Sequence, residues 1–289
     1  MHADDHDRGL AHDLDTLLAS MAQRRRALRW LAGAGALTLV GCGGGGDDAG
    51  TASSSSSSSS STTTTTSGSS SSSSCTLIPE ETAGPYPGDG SNSSNGSIAN
   101  ALTLSGIVRS DIRSSIAGAS GVAEGVVTTV QIELVNTNGS CADLSGYAIY
   151  LWHCTRDGKY SMYSSGITGE NYLRGVQSTD SNGVATFTTI FPGCYSGRMP
   201  HMHFEVYRST STALSYTNKL RTSQIAFPTD VCSTVYNSAT GYSASVANLA
   251  AISFSSDNVF SDGYTTQLAT VTGSVSAGYT ATLQVGISV

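Results

Sequence analysis

The 289-residue chain predicts an all-β protein: a β-sandwich with long loops, preceded by a signal segment and a disordered Ser/Thr-rich tether. Three observations carry that expectation. Short β-rich runs recur through residues 75–289 between turn dipeptides, with no long stretch of clean helical period. Glycine is abundant, at 32 residues, alongside many β-branched side chains, which favours strands over helices. Residues 1–74 offer too little apolar surface to form a core.

Charge narrows the function. Asp and Glu outnumber Lys and Arg by 21 to 14, and five of the basic residues stand at Arg8, Arg24, Arg25, Arg26 and Arg29. The rest of the chain is therefore acidic, with no basic stripe for a nucleic-acid backbone, and polyanion binding is excluded.

Taken in order, residues 1–41 read as an export signal. Arg24-Arg25-Arg26 precede an apolar stretch at 27–40, too short for a membrane span of ~20 residues. The paired arginines resemble a twin-arginine signal, and an ordinary secretory signal with a basic start is the alternative. Leu39-Val40-Gly41-Cys42 resembles a bacterial lipobox, which implies a lipid anchor on Cys42. Residues 43–74 are a Gly-rich then Ser/Thr-rich run whose side chains cannot offset ordering entropy. As a flexible coil this linker spans roughly 30 Å r.m.s., enough to hold a domain clear of a membrane. The protein is thus expected to be exported to the periplasm or cell envelope and anchored there; its oligomeric state is left open.

Within the body at 75–289, strands are expected at 102–108, 127–135, 148–154, 184–190, 201–206, 223–227, 265–271 and 280–285. Asn138-Gly139, Asp157-Gly158 and Asn182-Gly183 are turn dipeptides of the kind that join antiparallel strands. Five cysteines fall here: Cys75, Cys141, Cys154, Cys194 and Cys232. After export they meet an oxidising compartment, so two disulfides and one free thiol are expected, with the pairing open. No Cys-x-x-Cys occurs, which disfavours a structural zinc site.

The chemistry gathers at residues 192–204. Of six histidines, three lie in the first twelve residues, and two of the rest form the pair His201 and His203. Alternate strand residues share a face, so both imidazoles can reach one ion. Tyr195 and Arg198 stand just upstream, and Trp152-His153-Cys154 leads through a turn to Tyr160. Strand alternation turns His153 away from Trp152 and into a structural role. Near the start of the body lies Thr82-Ala83-Gly84-Pro85-Tyr86.

Together these motifs resemble the intradiol ring-cleavage dioxygenases, the catechol and protocatechuate family, and in particular their exported single-chain members. The resemblance covers nearly all of 75–289. It implies one Fe(III) per chain, held by Tyr160, Tyr195, His201 and His203. Phenolates suit a hard ferric ion, and a tyrosine of ordinary pKa about 10 ionises at neutral pH only against a strong cation. It also implies that Arg198 stabilises charge on the activated substrate and that Gln224 lies toward the oxygen and substrate side. Gly84, Pro85 and Tyr86 line the substrate pocket. Trp152 serves as a pocket wall or, alternatively, as a core residue. The implied reaction cleaves a catechol-type ring with O2, the catechol chelating iron in place of Tyr195, to a cis,cis-muconate-type diacid. Ser196-Gly197 replace the bulky aromatic of the protocatechuate enzymes, and Cys194 is also unusual, so the pocket is expected to differ in shape. The competing readings are a non-catalytic β-sandwich module binding aromatic or carbohydrate ligands, and a copper or zinc hydrolytic site, which two tyrosines fit poorly.

Overall fold

The computed structural model describes residues 75–289. The expected signal at 1–41, the lipidation site at Cys42 and the tether to residue 74 lie outside the described residues. The body opens with a polar hairpin, β1 (Asp89–Ser94) and β2 (Ser97–Asn100). There follow β3 (Val127–Asn136), the short β4 (Ala142–Asp143), β5 (Ala148–Trp152), β6 (Arg174–Ser178), β7 (Val184–Ile190) and β8 (His201–Tyr207). Then come β9 (Lys219–Ala226), helices α1 (Thr229–Ser238) and α2 (Ser243–Ala250), and finally β10 (Thr270–Ser274) and β11 (Gly278–Ile287). Among the described residues, no helix is long and apolar enough to cross a membrane.

Two sheets face each other. The first runs β10-β11-β3, with the far edge of β3 shared by β7 along Val127–Glu133 and by β4 at Val135 and Asn136. The β11–β3 pairing is parallel; its neighbours are antiparallel. The second sheet, β6-β5-β8-β9, is antiparallel throughout. In β3 the buried set Thr128, Val130, Ile132 and Leu134 alternates with partly exposed residues, as a strand wet on one face requires. Strands β5 and β8 differ, because every residue of both is buried. Ile149, Leu151, Met202, Phe204 and Val206 pack inward against the first sheet. The opposite face of these strands carries Tyr150, Trp152, His201, His203, Glu205 and Tyr207, and loops cover it. A polar face hidden in this way needs partners for each of its groups, and it is where the site forms.

Several expectations change. Residues 102–108 are turns rather than a strand: Leu102 and Ile107 are buried, but only Val108 makes an isolated bridge. Near 265–271, Leu268 makes an isolated bridge to Ala226 and the strand itself starts at Thr270. Asp157-Gly158 turns within a loop, and Asn182-Gly183 joins β6 and β7, which belong to different sheets. The expected pair of disulfides is a single one, Cys75–Cys141. Cys154, Cys194 and Cys232 are free and buried, the first two donating to the Gly193 and Arg198 carbonyls. Among the described residues no second bridge is formed.

Candidate metal centre

The register of the second sheet lays out the floor of the site. Arg174, Trp152, His203 and Gln224 are successive cross-strand partners on β6, β5, β8 and β9. Trp152 stacks on His203 with centroids 4.9 Å apart and planes 6° apart, and on Tyr150 at 5.0 Å on its other side. It has no exposed surface. Trp152 is therefore a fully buried backing for His203. His153 points the other way, its ring nitrogens at 2.8 Å from the Cys154 carbonyl and 2.7 Å from the Thr189 hydroxyl. Burial pulls its pKa down to about 4, keeping it neutral.

Loops bring the tyrosines. After β5 the chain turns tightly, with Thr155 N–H donating to Lys159 O and Gly158 N–H to Thr155 O, and delivers Tyr160 over the sheet. Gly158 has φ +83°, and a Cβ there would stand 3.0 Å from the Tyr195 Cβ, so a side chain at this turn would be strained and would crowd Tyr195. Tyr195 lies on the segment between β7 and β8. Gly193 N–H donates to Thr155 O, Cys194 N–H to the Ser245 hydroxyl, and the Asn248 amide to Cys194 O. Helix α2 is thus the clamp that sets Tyr195.

Four donor atoms converge. Tyr160 Oη lies 3.5 Å from Tyr195 Oη and 3.3 Å from His203 Nε2. Tyr195 Oη lies 3.1 Å from His201 Nε2, which is 3.1 Å from His203 Nε2. His201 Nδ1–H donates to the Met199 carbonyl at 2.6 Å, which leaves the Nε2 lone pair facing the cluster. His203 Nδ1 has no hydrogen-bond partner among the described residues. Burial holds both imidazoles well below their ordinary pKa, so they are neutral lone-pair donors. Burial also raises the phenols, Tyr160 well above its ordinary value and Tyr195 to about 12. Without a cation all four groups are uncharged. Neighbouring donor atoms around this ring stand 3.1–3.5 Å apart, close enough for all four to face one first-row ion. Among the described residues no three His, Cys, Asp or Glu side chains gather around a metal position. The donor set depends on tyrosine, which suits a hard trivalent ion better than zinc or copper(I).

Around the donors, Arg198 is 6 % exposed, its Nη1 3.4 Å from His201 Nε2 and its Nη2 donating to Gln224 Oε1 at 2.6 Å. Burial opposes its charge, but the neighbouring Tyr195 and Asp257 outweigh that and raise its pKa. Gln224 in turn donates to Thr82 O at 3.0 Å. That bond ties down the segment Thr82-Ala83-Gly84-Pro85-Tyr86, which crosses the cluster. Gly84, with φ +70°, passes so near that a Cβ would sit 3.4 Å from His203 Cε1. Tyr86 packs its ring 5.1 Å from those of Tyr160 and Tyr163. Gly84, Pro85, Tyr86 and Tyr195 are partly exposed, whereas Tyr160, His201 and His203 are buried, so the cluster meets solvent along this side.

Two supporting residues carried no sequence signal. Arg174, 1 % exposed, donates to Tyr86 O, Pro87 O, the Tyr150 hydroxyl, and the hydroxyl and carbonyl of Ser161, pinning the crossing segment from below. Asp257, with no exposed surface, pairs with Arg198 Nε at 3.0 Å. It stands 59 residues beyond Arg198 in a serine-rich loop, with no motif around it.

A family model described as Dioxygenase matches residues 110–258, just over half of the chain. The structure is similar to an intradiol ring-cleavage dioxygenase from Tetranychus urticae, with TM-score 0.57 and 23 % identity over 74 % of this chain and 95 % of that one. A second crystal structure, titled only as a dioxygenase, is similar at TM-score 0.56 and 22 % identity, over the same shares of the two chains. No curated protein matches the chain. The chain belongs to the intradiol ring-cleavage dioxygenase family, and its body has that family's β-sandwich fold.

Proposed function

We propose that the protein is a non-haem Fe(III) intradiol dioxygenase that cleaves a catechol-type ring with O2 to a cis,cis-muconate-type diacid. The observation that carries the reading is the convergence of two phenol oxygens and two imidazole nitrogens along edges of 3.1–3.5 Å. Tyr160, Tyr195, His201 and His203 would hold one ferric ion per chain. When bound, that ion supplies the electron-withdrawing centre that makes a chelated catecholate reactive toward O2.

The chain's own residues do the rest. Tyr195 is the partly exposed member of the pair, and as the phenolate that a bound ferric ion would stabilise it is the base placed to take a catechol proton. Arg198 holds a fixed positive charge beside His201, where the substrate dianion gathers negative charge. Gln224 keeps Arg198 and the Thr82 carbonyl in one frame. The stacked Tyr150, Trp152 and His203 rings keep the floor dry.

Purified protein loaded with iron should show a red tyrosinate-to-iron absorption band and convert catechol and O2 to the muconate. A colourless loaded protein, or a yellow semialdehyde from extradiol cleavage, would refute the assignment. The organisation into a signal at 1–41, a lipidated Cys42 with linker to 74, and a catalytic body at 75–289 belongs to the same proposal. The Cys75–Cys141 disulfide supports an exported location, since such bonds persist in oxidising compartments. Native protein should fractionate with membranes and be released as active body by protease acting within 53–74. A soluble native protein retaining residues 1–41 would contradict this.

A further inference from the structure

Arg198 is asked to present charge at a fixed point, yet an arginine side chain has four rotatable bonds and gains nothing in precision from charge alone. Its Nε–H reaches both oxygens of Asp257, at 3.2 and 3.0 Å. Asp257 is itself immobilised. Its Oδ1 accepts the Val259 and Phe260 N–H groups at 2.8 and 3.1 Å, and its Oδ2 accepts the Met199 N–H at 2.6 Å. The Phe260 ring lies under the guanidinium, 5.7 Å from its carbon. One edge of the guanidinium is thus locked on Asp257 and another on Gln224, leaving Nη1 to face the donor cluster. The Met199 contact reaches the cluster by a second route, because the Met199 carbonyl accepts the His201 Nδ1–H and so fixes which nitrogen points inward.

We propose that Asp257 is a positioning residue for the ring-cleavage reaction, orienting Arg198 through its Nε and holding the backbone that sets the His201 tautomer. This rests on the function proposed above. The carboxylate touches neither substrate nor metal position, and acts only through these two neighbours. The physical case is the donor arithmetic. Both oxygens of Asp257 face N–H groups only, so an amide at the same place would set its NH2 against a donor whichever way it turned. Arg198 would then keep one acceptor at most, so its anchor would loosen while its charge stayed.

The test combines Asp257→Asn, Arg198→Lys, Arg198→Ala and the Arg198→Ala/Asp257→Asn double variant, each at saturating iron. Asp257→Asn should lower kcat about 100-fold with KM for catechol nearly unchanged, the scale of losing one placed charge donor. It should also weaken iron binding by metal-free protein about tenfold, as loss of an outer-shell partner does. Arg198→Lys keeps a cation beside Asp257 but has no planar fork to bridge to Gln224, so it should lower kcat comparably with iron affinity unchanged. The double variant should fall within about threefold of Arg198→Ala alone.

A multiplicative double variant, or an Asp257→Asn enzyme of normal kcat, would overturn the proposal. So would an Arg198→Lys enzyme of normal kcat, and that variant decides the matter even if Asp257→Asn does not fold. A readout independent of turnover is the Arg198 Nε–H resonance of metal-free protein. It should exchange slowly in the parent and be lost in Asp257→Asn; its persistence would count against the pairing. If the parent protein fails to cleave catechol, the proposed reaction falls with the catalytic role, while the resonance and the iron titration still decide whether Asp257 positions Arg198 and His201.

Discussion

Removing the disulfide by Cys75→Ser and Cys141→Ser should cost stability without touching the metal centre. The linked residues are 66 apart in sequence, and closing a loop of that length restricts the unfolded chain by about 4 kcal/mol at 25 °C in the chain-entropy account. That is a large share of the 5–15 kcal/mol by which most domains are stable. Locally the effect should stop within three residues. Ile78 is 1 % exposed and its N–H donates to Gly286 O at 2.9 Å, and Leu77 bridges to Gly286, so the segment is refastened before it reaches Thr82. Burying the Ile78 side chain contributes about 1.5–3 kcal/mol, enough to resist fraying at that point. Urea titration followed by circular dichroism should therefore give an unfolding free energy about 4 kcal/mol lower in the double serine variant. Iron content and the visible band should be unchanged. A loss under about 1 kcal/mol would show that the bridge does not restrict the unfolded chain as its loop length implies. Loss of iron would show that the segment over the site is held by the disulfide rather than by Ile78 and the Gln224–Thr82 bond.

Two further outcomes test the site and its surroundings. His203→Ala removes one of four donors and the ring that Trp152 stacks on, so the protein should retain under a tenth of the parent's iron and lose its colour, measured by elemental analysis and absorbance. Normal iron content would remove His203 from the ligand set. His153, with its pKa depressed to about 4 by burial, favours the folded state above the ordinary value of 6.5 and loses that advantage as pH falls through 4. The difference corresponds to about 3 kcal/mol. Metal-free His153→Gln should therefore lose about that much less stability than the parent between pH 7.5 and 4. Equal losses in urea titrations would mean that His153 is already charged in the fold.

Much of the scaffold was readable because its strands alternate or are rich in β-branched residues. The run at 184–190 is β7 residue for residue, and 127–135 and 201–206 fall one residue short of β3 and β8. The β1–β2 hairpin escaped because its strands are Ser-, Gly- and Asn-rich with little apolar pattern. Its signal was there in Asn95-Gly96, whose φ values of 50° and 78° are those of a tight hairpin turn. Strand β6 opens on Arg174, a charge that reads as surface until its five hydrogen bonds are seen. In α1 the buried Cys232, Val235 and Tyr236 have helical spacing, but over only ten residues. At the site, spacing pointed to the His201–His203 pair, and the resemblance to the intradiol family to the two tyrosines, Arg198 and Gln224; the fold brings all six together. Asp257 was illegible because its role depends on a loop folding back across the sandwich, and no local pattern encodes that.

The three unpaired thiols have a consequence for redox chemistry. Thiolates, not thiols, reduce and capture metals. Burial pushes Cys154 and Cys194 up to about 12 and Cys232 higher still, so at neutral pH only about one in 10⁵ of the first two is ionised. Cys194 is bonded directly to Tyr195, and its proton is held on the Arg198 carbonyl. For the ferric site proposed above, an electron donor in the residue next to Tyr195 would be a liability. Cys194 is that donor, and keeping it protonated would keep its electrons from a metal bound there.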